Sequence, residues 1–120
     1  MSGKEALFAW VQEALEPLGA VTMRSMMGGA TLYLDGTVFA IIADDEIWFK
    51  ADAQSDGVWD DQGCDRFTFT MGDGRSGSMN YRRGPTDVYD DPDEMRRWAR
   101  LALEAGLRAP PRKAKKKKSG

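Results

Sequence analysis

Histidine is absent from all 120 residues, and cysteine occurs once, as Cys64. Without histidine no Ser-His-Asp or Cys-His catalytic group can be assembled, and one thiol without imidazoles cannot close a zinc finger. A single cysteine also excludes an internal disulfide and suits a reducing compartment. No stretch approaches the ~20 apolar residues of a membrane span, and no basic-then-apolar leader opens the chain. No membrane partner and a cytoplasmic location are therefore expected. Acidic residues are missing from the C-terminal stretch: residues 108–120 carry seven Lys and Arg and no Asp or Glu, whereas residues 1–107 carry ten against 19. An acidic body repels a phosphate backbone, and a lysine run attracts one.

The composition that is present fits one ordinary domain. The chain is 42% hydrophobic with four tryptophans, and at this length roughly 65% of the unfolded surface can be buried. Ser2 and Glu5 have capping-box spacing, and Leu7, Trp10, Val11, Ala14, Leu15 and Leu18 recur at helical steps. Pro17 predicts a helix end near Leu15 or Glu16. From Val21 to Lys50 the period changes to two. "VTMRSM", "ATLYL", "TVFAIIA" and "EIWFK" are strand-like, and Asp35-Gly36 and Asp44-Asp45 sit at tight-turn positions. A short helix over 53–62 capped by Asp52 follows, then two strands, "DRFTFTM" and "SMNYRR". In "DDPDE", Asp91 suits an N-cap, Pro92 the first helical position and Glu94 the third. The final helix is expected to end at Gly106. The order α-β(3-4)-α-β(2)-α implies a two-layer α+β domain over residues 1–107: an antiparallel sheet of about five to six strands with helices on one face. Residues 108–120, with Pro110-Pro111 and the lysine run, read as a disordered tail.

Few residues offer chemistry. Gly28-Gly29 could cradle a phosphate, but a phosphate loop needs a helix after the glycines, and here "TLYLDG" reads as a strand. A turn or bulge is the expected role. The acid clusters at 44–46, 60–61 and 90–93 sit at turns and helix starts, where aspartate caps locally. Acids flanking Cys64 raise its thiol pKa and lower its reactivity. Arg82 and Arg83, adjacent on a strand, read as a solvated strand end, and the seven methionines chiefly as core. No catalytic residue, cofactor or metal ligand is expected.

Residues 23–52, "MRSMMGGATLYLDGTVFAIIADDEIWFKAD", resemble the N-terminal domain of the TfoX/Sxy family. The residues that carry the likeness are Met26, Gly28, Gly29, Gly36, Phe39, Lys50 and Asp52. Tyr81 in "MNYRRGP", Pro85 in its proline turn, and the final helix extend it over roughly residues 5–106. Met27 stands where the family usually has phenylalanine. The resemblance implies the same α+β fold, structural roles for those nine residues and no established catalytic residues. The family's best-known members regulate natural competence as transcriptional co-activators with the cyclic-AMP receptor protein. They carry a second, helical domain where this sequence has its lysine run.

The function this supports is a non-enzymatic regulatory domain. Its expected partner is a protein, with the transcription machinery as the first class to consider. Arg108, Arg112, Lys113, Lys115, Lys116, Lys117 and Lys118 are the candidate contacts to nucleic acid, without sequence preference. The alternatives are a small enzyme acting on a nucleotide or nucleic acid, and a dimerisation module pairing through an open sheet edge.

Overall fold

Turn chemistry sets the hairpins from which the domain is built. In the computed structural model, which describes residues 3–26 and 28–109, the order is α1 (Gly3–Leu15), β1 (Val21–Met26), β2 (Gly29–Leu34), β3 (Thr37–Ala43), β4 (Glu46–Lys50), α2 (Asp56–Asp61), β5 (Arg66–Thr70), β6 (Ser76–Arg83), a 3-10 turn (Thr86–Tyr89) and α3 (Pro92–Arg108). Asp35 (φ 49°) and Gly36 (φ 87°) make the left-handed pair that a two-residue hairpin turn requires between β2 and β3. Asp44 (φ 54°) and Asp45 (φ 61°) do the same between β3 and β4 without a glycine. Gly28 (φ 76°) turns β1 into β2, and a Cβ on Gly29 would run into the Ile42 carbonyl of β3. Torsion requires the first glycine and close approach the second. A strand follows them, and no helix N-terminus is there to meet a phosphate.

The six strands form one antiparallel sheet in the order β1-β2-β3-β4-β6-β5, a two-layer α+β architecture with its helices on one face. Ala30, Leu32, Leu34, Ala40, Ile42, Ile47 and Phe49 alternate onto the covered face and are buried. A bulge opposite Leu32-Tyr33 lets Phe39 bury as well. Against them pack Leu7, Val11, Ala14 and Leu15 of α1 and Met95, Trp98, Ala99 and Ala102 of α3. Trp59 of α2 stacks on Phe49 at 5.6 Å and meets Trp98 at 4.8 Å between ring centroids, so all three helices share this side.

Two boundaries and one side-chain contact differ from the sequence reading. The final helix passes through Gly106 to Arg108, because Gly106 is a packing glycine: a Cβ there would strike the Val38 carbonyl of β3. The short helix begins at Asp56 instead of residue 53, since the Asp52 carboxylate accepts from the amides of Gln54 and Ser55 (both 3.1 Å) and holds a turn ahead of it. The Glu94 side chain accepts from the Trp98 indole (3.2 Å) and does not close a capping box, while Asp91 caps the amides of Asp93 and Glu94 as expected. Ser2 lies outside the described residues. No helix among the described residues is long and apolar enough to cross a membrane.

Candidate interaction surface

Alternation that buries one face of a strand displays the other. The side chains opposite the helices come from Arg24 and Met26 (β1), Thr31 and Tyr33 (β2), Val38 and Ile41 (β3), Trp48 and Lys50 (β4), Met79, Tyr81 and Arg83 (β6), and Phe67 and Phe69 (β5). No described helix covers them. In the middle of this face lies a concavity of about 490 Å³, with Tyr33, Val38 and Ile41 as its floor and Met26, Lys50, Met79 and Tyr81 around it. Met26, Phe69, Met71 and Met79 are exposed. Gly77 makes room on β6, since a Cβ there would meet the ring of Phe69 at 2.7 Å.

Cations dominate the charge of the face. The Lys50 ammonium lies 5.3 Å from the Tyr81 ring centroid, and the Arg83 guanidinium 4.7 Å from that of Trp48. Arg83 also donates to both carboxylate oxygens of Glu46, at 2.8 and 3.0 Å. Phe67 meets Trp48 edge-on at 5.0 Å, leaving the indole 6% exposed. Three bases (Arg24, Lys50, Arg83) thus share the face with one acid (Glu46). Residues 3–109 as a whole carry 11 Lys and Arg against 19 Asp and Glu. None of the residues lining the concavity offers a carboxylate or a thiol, and no group of three or more acids or thiols among the described residues is placed to hold a metal ion.

The residues singled out in the sequence separate into three places. Met26, Gly36, Lys50 and Tyr81, expected to be structural, line the concavity. Phe39 lies in the core, Gly28 and Gly29 shape the β1–β2 turn, and Pro85 precedes the 3-10 turn. Arg108, expected in a disordered tail, is the last residue of α3 and holds Asp52 through two hydrogen bonds of 2.7 and 2.8 Å. That guanidinium holds the Asp52 carboxyl down at about 2. Arg112, Lys113, Lys115, Lys116, Lys117 and Lys118 lie outside the described residues.

Two side chains have roles their sequence context conceals. Arg82 is buried where a solvated strand end was expected. It faces α2 and donates to Asp56 (3.0 Å), Asp60 (2.7 Å) and the Cys64 carbonyl (3.0 Å), tying α2 to β6. The Cys64 thiol is raised as expected, but chiefly by burial; Arg82 opposes the rise and Asp65 adds to it. The methionines also divide differently: Met95 is core, whereas Met26, Met71 and Met79 are exposed. Separate clues existed in the alternation of each strand, but not which side the helices would cover.

The molecule is thus a two-layer α+β domain whose six-stranded open sheet has helices on one side and a cationic, methionine-edged opening on the other.

 The chain belongs to the TfoX N-terminal domain family, which matches residues 5–106. It is 31% identical over 104 residues to Protein Sxy of Escherichia coli (strain K12), an alignment covering 81% of this chain and 46% of that protein. The chain thus spans about half the length of the curated relative it matches.

Proposed function

We propose that this chain is a non-enzymatic regulatory interaction module of the TfoX/Sxy type, contacting a protein of the transcription machinery through its helix-free sheet face. The observation that carries this reading is the uncovered concavity edged by exposed Met26 and Met79. Apolar side chains left open on a sheet mark a contact surface, and methionine adapts to varied partners. The lysine-rich stretch adds attraction to nucleic acid without sequence preference. Arg108 is engaged by Asp52, so six bases, Arg112, Lys113 and Lys115 to Lys118, supply that attraction.

Two titrations test the two halves. Purified chain is titrated with the cyclic-AMP receptor protein and with RNA polymerase while backbone amide signals are followed. Shifts confined to β1, β2, β3, β4 and β6 support the reading; no shift with either protein refutes the transcription assignment. For the basic stretch, a labelled duplex is bound by residues 1–120 and by residues 1–109 across a salt series. Six bases give a log-log slope of at most ~5, at about 0.9 per phosphate contact. Equal binding by both chains removes the basic stretch from the function.

A further inference from the structure

We propose that the helix-free face binds an acidic, apolar peptide segment of the partner protein, with carboxylates on Lys50 and Arg24 and apolar side chains between Met26 and Met79. This rests on the reading of the face as a contact surface and names the chemistry of what it takes. Among the described residues neither Lys50 nor Arg24 has an ion-pair partner, although the acids outnumber the bases overall. The remaining base on the face, Arg83, is already held by Glu46. The face is therefore a cationic area on an acidic body, and it attracts acidic segments that the rest of the surface repels.

Charge and ring geometry disfavour the other occupants. A second copy docked face to face would set Lys50 and Arg24 against the same cations. A single-stranded nucleic acid needs open ring faces for its bases. Here the Tyr81 ring carries the Lys50 ammonium, and Trp48 lies beneath Arg83 and against Phe67. The floor of Tyr33, Val38 and Ile41 offers apolar contact, and the thioethers at either side adapt to differing side chains. The concavity crosses five strands, from β1 to β6, which is about 19 Å at ~4.8 Å per strand spacing. That accommodates about six extended residues or three and a half helical turns.

The test is a selection of random 14-residue peptides displayed against the full chain, followed by anisotropy on fluorescein-labelled copies of the enriched peptides. The expected peptides are rich in Asp and Glu alternating with Leu, Ile, Phe or Met. Lys50→Glu should weaken them at least tenfold, Lys50→Met and Arg24→Gln less, and Met79→Asp at least tenfold. Arg100→Glu on the helical side, which makes the same charge change as Lys50→Glu, should leave binding within twofold. Melting temperatures and amide spectra of each variant establish that it is folded. Neutral or basic peptides whose binding Met79→Asp abolishes would overturn the acidic specificity while leaving the contact surface in place. Enrichment of no peptide, or binding that no substitution on the face disturbs, would overturn both. A 20-nucleotide single strand that binds and is lost with Lys50→Glu would give the face to nucleic acid, and a dimer by light scattering that Lys50→Glu dissolves would give it to a second copy; either overturns the proposal.

Discussion

Removing Arg82 should destabilise the domain less than removing the two acids that hold it. The reasoning starts from unequal exposure: the Arg82 side chain is 3% exposed, that of Asp56 27% and that of Asp60 65%. In Arg82→Met the apolar stem is largely preserved. Asp60 returns to water, and the amide of Asn80 still donates to Asp56 at 3.0 Å. The main loss is the donor to the Cys64 carbonyl, a buried acceptor whose desolvation costs about 1–3 kcal/mol. An overall cost of about 2 kcal/mol follows. In the double variant Asp56→Ala, Asp60→Ala a buried guanidinium keeps only the Cys64 carbonyl and the Asn80 side chain as acceptors. Orphaning a buried charge costs about 3–5 kcal/mol. Urea unfolding followed by tryptophan fluorescence, with slopes compared to establish two-state behaviour, measures both. The reasoning is refuted if the arginine variant loses as much stability as the double aspartate variant or more.

Gly106→Ala should lower the melting temperature, although alanine is the better helix former by about 1 kcal/mol, because the new methyl collides with the Val38 carbonyl; a scanning calorimetry trace that rises instead would show that α3 can lift away from β3. The Asp52–Arg108 pair should stabilise the fold only above the acid range. The folded carboxyl titrates at about 2 against an ordinary 3.8, so its contribution is full above pH ~4 and is lost as the pH falls toward 2. The urea midpoints of Arg108→Gln and the parent should therefore differ at pH 6 and draw together as the pH falls through about 2, and a constant gap would disprove the linkage. Cys64, 8% exposed and with its thiol raised by burial, should react with a colorimetric disulfide reagent at pH 8 at least tenfold more slowly in the folded chain than in urea. Equal rates would place the thiol at the surface.

Much of the fold was legible because its signals are local. The two-residue turns at 35–36 and 44–45, the period-two runs and the Asp91-Pro92 start each depend on neighbours in sequence. What was hidden depends on distant partners. Arg82 finds Asp56 and Asp60 in α2, 26 and 22 residues upstream, so its strand alone gives no sign of burial. Gly106 looks like a helix terminator until α3 is laid on β3. The open face was concealed for a further reason: Ile41 and Trp48 are as apolar as Ile42 and Phe49 beside them, so the central strands read as hydrophobic on both sides. Only the packing of the helices decides which side is left open, and with it whether Met26, Lys50 and Tyr81 are supports or contacts.

The seam between β4 and β6 contains three residue pairs, Trp48 with Arg83, Phe49 with Arg82 and Lys50 with Tyr81, whereas β1 and β2 share six. The sheet is in effect two parts of unequal size joined along a short seam, which the amides of Ala51 and Gly84 extend by bonds to the carbonyls of Asn80 and Ile47. Met26, Tyr33 and Ile41 belong to the larger part, and Met79 and Tyr81 to the smaller, the β5–β6 hairpin. The concavity consequently draws its two sides from separate parts of the sheet. The spacing of Met26 and Met79 is thus set by the strands that lie between them.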